Sequence, residues 1–140
     1  HEELSKVVTR YAGTAAGTAA ALLSAQLHFE SGKVDDGLAV LDRALSKAPS
    51  HQKAGLYALR AAGKATAGKP AEAASDYEAA AAAAQFVQER EEYQMLAARQ
   101  HAAAGNTAAA SKIYEAIAGR ETSPHAGEAR LRLGEVTTKG

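Results

Sequence analysis

The sequence predicts an all-α protein, and three observations support this prediction. No stretch of five or more residues alternates apolar and polar side chains, which is the pattern of a half-buried strand. Apolar residues recur instead at the i, i+3, i+4, i+7 spacing of a helix face. Each of the three prolines falls where a helix is expected to begin or end. Together these signals predict about eight helices joined by short turns.

The first two helices are separated by Gly13. The first carries one apolar stripe at helical spacing, formed by Leu4, Val7, Val8 and Tyr11. Thr14 has the side chain of a good N-cap and is followed by an alanine-rich segment. We therefore expect the second helix to start after Thr14 and to run to about Ser31.

The third and fourth helices follow Gly32. An apolar stripe closed by Pro49 predicts the third helix, and its members are Val34, Leu38, Leu41, Leu45 and Ala48. Ser50 is expected to cap the fourth helix, which reaches about Ala67.

Four more helices are predicted in the second half of the chain. Pro70 suits the first turn of the fifth helix, because its missing N–H would have no intrahelical partner there. The sixth helix is expected over 86–104 and ends at Gly105, and the seventh is expected over 107–118. The dipeptide Ser123–Pro124 opens the last helix.

Composition favours one compact domain packed through small side chains. Alanine supplies 37 of the 140 residues, whereas aromatic residues make up only 5%. At this length a chain can bury about two-thirds of the surface that it exposes when unfolded. Cysteine is absent, which excludes disulfides, thiolate zinc sites and cysteine nucleophiles. We therefore expect a single domain over 1–140.

Charge and hydropathy argue against two classes of partner. The 16 basic and 16 acidic residues give a formal net charge of zero, and the basic residues are spread along the chain without forming a stripe. Nucleic-acid binding is therefore not expected. No apolar run approaches the roughly 20 residues of a membrane span, so this segment is not expected to insert into a membrane.

A ten-residue signature recurs three times with a period of 36 to 37 residues. A glycine makes a turn, a small residue follows after five positions, and a large residue follows four positions later. The small residue lets two helices approach closely, and the large residue fills the groove between neighbouring pairs. The three sets are Gly32, Gly37 and Leu41; Gly68, Ala73 and Tyr77; and Gly105, Ala110 and Tyr114.

The segment from Thr18 to Pro49 resembles a tetratricopeptide repeat, laid out over 32 of that repeat's usual 34 positions. Gly37 and Leu41 stand at its A-x3-F core, and Ala44 follows them. The resemblance implies antiparallel helix pairs stacked into a short right-handed superhelix. The expected units cover residues 18–51, 52–87 and 88–122, with partial units at 1–17 and 123–140.

The overall layout is similar to the periplasmic domain of the ancillary Sec translocon subunit family. The segments 10–14 and 120–124, each followed by an alanine-rich helix, look like linkers in bacterial envelope proteins with such repeats. This resemblance implies a membrane-anchored periplasmic scaffold that assists protein assembly or translocation, with its anchor upstream of residue 1. Without such an anchor, the expected location is the cytoplasm. An ordinary helical bundle is the alternative fold, but its seven-residue period is weaker here than the longer repeat.

Patterns typical of catalytic or metal sites are incomplete. The segment 63–70 matches a phosphate-binding G-x4-G-K loop, but Pro70 replaces the magnesium-binding hydroxyl and a helix precedes the loop. The histidines lack metal-site spacing, and His28 and His101 are expected to fill inter-helix grooves. The acidic cluster of Glu89, Glu91 and Glu92 is interpreted as a solvated helix face. The sequence therefore predicts a protein without catalytic activity, cofactor or metal.

Two functional hypotheses follow, and the first is a scaffold that binds other proteins or peptide segments. In tetratricopeptide solenoids, the first helix of each pair lines a concave face, whose outward positions here include Ala58, Ala62 and Ala102. The predicted partner-binding residues on this face are Leu22, Gln26, Phe29, Met95 and Arg99. The sequence supports two interpretations of Phe29 and Met95 equally: they are apolar anchors for a partner, or they are core residues. The lysine and asparagine of the family's carboxylate clamp are missing.

The second hypothesis is a structural module that forms homo-oligomers through its terminal helices. Residues 1–70 carry nine basic and six acidic groups, a net charge of +3, whereas residues 71–140 carry seven and ten, a net charge of −3. Apolar stripes also mark both terminal helices, and the stripe on the last one contains Leu131, Leu133 and Val136.

Overall fold

A computed structural model describes residues 2–139, and over that range the chain is all-α, as the sequence predicts. Within these residues it forms eight α-helices and no strand. The helices are α1 (Glu2–Arg10), α2 (Ala15–Glu30), α3 (Val34–Lys47), α4 (Lys53–Thr66), α5 (Pro70–Ala83), α6 (Val87–Ala103), α7 (Thr107–Ala118) and α8 (Ala126–Lys139). His1 and Gly140, which end the predicted domain and its partial units, lie outside the described residues.

Helix starts follow local capping chemistry at three positions. The Thr14 hydroxyl accepts a hydrogen bond from the Gly17 amide at 3.1 Å, so Thr14 is the N-cap of α2 as predicted. Pro70 is the first residue of α5, also as predicted. Asn106 caps α7, because its side chain accepts a hydrogen bond from the Ala109 amide at 3.3 Å.

Two predicted helix starts are wrong by a few residues. Ser50 does not cap α4 but begins a single 3-10 turn, Ser50–Gln52, that precedes it. The Thr18 hydroxyl donates a hydrogen bond to the Gln52 side chain at 2.6 Å, and this contact with α2 holds the connection in place. The last helix begins at Ala126, two residues after Pro124; the Ser123 hydroxyl donates to Glu91 and accepts a hydrogen bond from the His125 amide at 3.1 Å, in a turn that precedes the helix.

The turns at Gly32, Gly68 and Gly105 have the same geometry. All three glycines lie in the left-handed region, with φ between 77° and 83°. In each turn, the glycine amide donates to the carbonyl three residues earlier and the next amide donates to the carbonyl five residues before it, at 2.8–3.0 Å. This is the Schellman motif, in which glycine closes a helix and satisfies its last carbonyls. The periodic glycines of the sequence therefore mark three equivalent helix–helix turns.

Ion pairs show that α4 and α5 run antiparallel. Lys64 lies 3.8 Å from Glu72, beside the turn between the two helices. One turn earlier on α4, Arg60 pairs at 2.8 Å with Asp76, which lies one turn later on α5. Residues at equal distances before and after a turn can pair in this way only if the two helices run antiparallel.

Each helix packs mainly on its neighbours in the chain, and α2 also contacts α4. Three apolar clusters form between successive helices, and each contains one large signature residue: Leu41 in the first, Tyr77 in the second and Tyr114 in the third. The small signature residues Ala73 and Ala110 are fully buried in the second and third clusters. Small side chains therefore occupy close helix contacts, and the large signature residues pack beside them with other apolar side chains.

A candidate binding groove between α6 and α8

The five residues predicted to bind a partner fall into two separate groups. Leu22, Gln26 and Phe29 lie on α2, which packs on α1, α3 and α4. Met95 and Arg99 lie on α6, which packs on α5 and α7. The structure therefore places the two groups in different parts of the helix series and not in one compact site.

Phe29 is half-buried and packs against the apolar cluster of α2, α3 and α4, which agrees with its interpretation as a packing residue. Its ring fills the space next to Gly37 on α3 and Gly63 on α4, and a Cβ atom at either glycine would lie 2.5 Å from a ring carbon. Leu22 packs against the same cluster, whereas Gln26 is exposed. The α2 group therefore leaves only Gln26 fully available to a partner.

The α6 group lines an open cavity of about 370 Å³ formed by α6, α7 and α8. We call it the α6–α8 groove, and its lining consists of Glu92, Tyr93, Met95, Leu96, Arg99, Tyr114, His125, Glu128 and Arg132. A second depression shares Arg99, Tyr114 and Arg132 with it and extends to Val136 at the end of α8. The two depressions therefore lie next to each other on the surface.

Tyr114 forms the floor of the α6–α8 groove. It is 3% exposed and packs in a cluster with Ala98 and Ala110, against which Met95 also packs. Burial raises the pKa of Tyr114, although the nearby Arg132 and Arg99 act in the opposite direction. The phenol is therefore neutral at physiological pH, and its hydroxyl can donate a hydrogen bond.

Only some of the charged side chains around the groove have ion-pair partners. Arg132 pairs with Glu135 at 3.1 Å and with Glu128 at 3.7 Å, and the hydrogen bond to Glu135 raises the pKa of Arg132. Arg99 and Glu92 are exposed and take part in none of the ion pairs formed among residues 2–139. Among the α6 residues that line the groove, one cation and one anion are thus available to an incoming partner.

An ionic network around the buried Asp76, which the sequence analysis missed, joins α3, α4 and α5. Arg60 donates to Asp76 from Nε at 2.9 Å and from Nη2 at 2.8 Å, and its Nη1 donates to Asp42 at 2.9 Å. Lys64 adds a contact of 3.0 Å to Asp76, whose side chain is only 7% exposed. Asp76 raises the pKa of Arg60 through these bonds. The network holds the helices together and presents no free charge.

A sequence signal for this network was present. Lys64 and Glu72 stand four residues on either side of Gly68, and Arg60 and Asp76 stand eight residues on either side. Opposite charges placed symmetrically about a helix turn are expected to meet across an antiparallel hairpin.

The interpretation of the acidic cluster on α6 as a solvated face is wrong for Glu91. Its side chain is 3% exposed and accepts hydrogen bonds from Arg120 at 2.8 Å and from Ser123 at 2.5 Å. Glu91 points toward the connection between α7 and α8 and anchors it to α6, whereas Glu92 is exposed and Glu89 is half-buried. Adjacent acids on one helix point in different directions, so one of the three is buried.

His101 fills a groove between α5 and α6 with one edge open to solvent, as expected. Its Nε2 lies 2.6 Å from Glu78 Oε1, and its side chain is 14% exposed. His28 is half-buried near the end of α2. Across the described range, no group of three or more histidine, aspartate or glutamate side chains comes together as a metal site would require.

The segment that resembles a phosphate-binding loop is the end of α4 and the following turn. Gly63 lies inside α4 against the Phe29 ring, and Gly68 closes the helix. None of the helices in residues 2–139 has both the length and the apolar character needed to cross a membrane.

Comparison of the chain with protein-family models, with curated proteins and with solved structures finds no match. The function is therefore inferred from the groove and its chemistry.

Proposed function

We propose that this domain is a non-catalytic scaffold that binds a segment of another protein in the α6–α8 groove. The observation that carries the proposal is the combination of an apolar strip, made by Met95 and Leu96, with unpaired charges on either side of it at Glu92 and Arg99.

The lining of the groove has the composition of a protein interface. Protein interfaces combine an apolar centre with a polar rim and are enriched in tyrosine, methionine and arginine. The groove contains Tyr93, Met95, Arg99, Tyr114 and Arg132, and it is open along its length. A groove of this shape can accommodate an elongated segment that binds through its side chains.

The proposal includes a tetratricopeptide-like architecture for the whole domain. Three turns of equal geometry and a buried small residue after each turn support stacked helix hairpins. Stacked hairpins form extended concave surfaces that bind other proteins. In such an architecture α6 and α8 are the first helices of successive hairpins, and the groove between them is part of the concave face.

Peptides selected on the domain from a displayed random library test the proposal. We expect selected peptides to bind the wild type and to lose at least about tenfold in affinity for the Arg99→Glu variant. Arg90→Glu is the matched control, because Arg90 is an exposed arginine on the same helix but does not line the groove. Circular dichroism should show that both variants keep the fold.

Either of two results would exclude the groove as the binding site. One is a library that yields no binder, and the other is a set of binders with equal affinity for both variants. Self-assembly is the second candidate function, since Tyr11 on the α1 side and Leu131 on α8 are 44% and 62% exposed. Sedimentation of the same samples over a range of concentrations separates the two candidates, because only self-assembly predicts growth without peptide.

A further inference from the structure

We infer that the occupant of the α6–α8 groove is an amphipathic helix of another protein, with an acidic residue paired to Arg99 and a basic residue two turns away paired to Glu92. This inference rests on the proposed function and specifies its partner. Three features of the groove carry it: the state of the backbone in its walls, the spacing of its charges, and the direction of a helix dipole.

Along α6 and in the middle of α8, the walls of the groove offer no backbone groups to a partner; only His125 and the first turn of α8, which includes Glu128, lie outside the hydrogen-bonded interior of a helix. Leu96 and Arg99 lie inside α6 and Arg132 lies inside α8, where amides and carbonyls bond within the helix. An extended peptide gains affinity chiefly from main-chain hydrogen bonds to a sheet edge, which this surface lacks. A helix satisfies its own backbone and needs only side-chain contacts.

The unpaired charges on α6 define a register for such a helix. Glu92 and Arg99 are seven residues apart, so they share one helix face and lie about 10 Å apart along the axis. Met95 and Leu96 lie between them on the groove wall. A complementary helix therefore carries an acid and a base seven residues apart, with apolar residues three or four positions after the first.

The other charged groups of the groove favour the same placement of the acid. Arg132 also lies near Tyr114, but Glu128 and Glu135 already pair with it. Arg99 is therefore the cation that gains most from a partner carboxylate. At the opposite end Glu92 shares the groove with His125 and Glu128, and this end accepts the basic residue.

The helix dipole sets the direction of the partner. Acidic residues stabilise the first turn of a helix and basic residues its last turn. The partner's acid lies over Arg99 and its base lies over Glu92, so its N-terminus faces the C-terminal end of α6. The partner helix should therefore run antiparallel to α6.

The chain's own α1 carries a similar pattern, with exposed Glu3, Val7 and Arg10 at i, i+4 and i+7. A second copy docking through α1 is nevertheless disfavoured. The nine residues of α1 present one short face, whereas a stable interface buries about 800 Å² on each partner. A helix of another protein is not limited to this length.

Two helical probe peptides of equal composition test the inference. The forward peptide carries glutamate, leucines at the third and fourth positions after it, and lysine at the seventh; the reverse peptide exchanges the glutamate and the lysine. The chain contains no tryptophan, so one tryptophan beside the leucines reports binding by fluorescence. We expect the wild type to bind the forward peptide at least about tenfold more tightly than the reverse peptide.

A charge-reversed protein provides the decisive comparison. The double variant Glu92→Arg, Arg99→Glu should prefer the reverse peptide, and Arg90→Glu should behave as wild type. Equal binding of both peptides by the wild type, or no change of preference in the double variant, would overturn the inference and leave the proposed function intact. If neither probe peptide binds and the library selection also yields no binder, both the inference and the proposed function are excluded. Concentration-dependent dimerisation that Arg99→Glu abolishes would assign the groove to a second copy and overturn the inference.

Discussion

Glu91 is a buried carboxylate that stays charged because its partners outweigh the cost of burial. Burial by itself raises the pKa of Glu91, but hydrogen bonds from Ser123 and Arg120 and the charges of Arg120 and His125 lower it below its ordinary value. The ionised side chain therefore fastens the α7–α8 connection to α6, and the position of α8 beside the groove depends on it.

Replacement of Glu91 by glutamine should reduce the free energy of unfolding at neutral pH by about 1–3 kcal/mol, the usual worth of charged hydrogen bonds. The lowered pKa predicts how this loss depends on pH. The stabilisation by the carboxylate is complete above the ordinary pKa of about 4.5 and is lost as pH falls through the lower pKa of the folded state. The wild type and Glu91→Gln should therefore converge in stability under acidic conditions.

Urea denaturation at several pH values between neutral and strongly acidic measures this convergence. Glu92→Gln is the matched control, because Glu92 is the adjacent residue, is exposed and lacks an ion pair within the described chain. If the free energies of unfolding of wild type and Glu91→Gln differ by the same amount at every pH, the ionised carboxylate is not the stabilising species.

The periodic glycines of the sequence have their structural effect at the turns between helices. Gly68 has a φ of 78°, and no atom lies within 4 Å of the position that its Cβ would occupy. Glycine is therefore required at this turn by backbone conformation and not by lack of space. Gly134, by contrast, is inside α8 in an ordinary conformation and faces open space.

Alanine substitutions at these two glycines should have opposite effects. Gly68→Ala forces a side chain into the left-handed region and should destabilise the protein by about 1–2 kcal/mol. Gly134→Ala removes conformational freedom from the unfolded chain and should stabilise it by about 0.5–1 kcal/mol. Chemical denaturation of both variants measures the difference. Stabilisation by Gly68→Ala would contradict the left-handed turn at that position.

At the scale of the whole molecule, stability should vary along the helix series. Packing occurs mainly between successive helices, as in repeat proteins, whose stability is set by neighbouring units. Residues 2–10 form α1, in which no side chain is buried. The contacts of α5 with α4 and with α6 are equally extensive and exceed those of the other helix pairs, and α4 and α5 also hold the ionic network around Asp76.

Native-state hydrogen exchange should therefore be fastest for α1 and slowest for α4 and α5. The physical reason is that local opening costs least where few apolar contacts are broken. Exchange followed by mass spectrometry of proteolytic fragments resolves the helices. Equal protection in all of the helices from α1 to α8 would show that the domain opens only as one cooperative unit.

Local chemistry was sufficient to predict the fold class, the number of helices and most helix ends from the sequence. Thr14 and Pro70 act through groups within three or four residues of themselves, so their roles are visible without a fold. The recurrent glycines are of the same kind, because a left-handed turn is a property of one residue's backbone.

Only the tertiary structure decided which side chains meet across helices. Phe29 packs between helices because two glycines on other helices leave room for its ring, and Glu91 is buried where Arg120 and Ser123 lie opposite it. The groove likewise depends on α6 and α8 being brought side by side across Tyr114. Periodicity places a residue on a helix face, but the rotation and spacing of two helices determine what that face contacts.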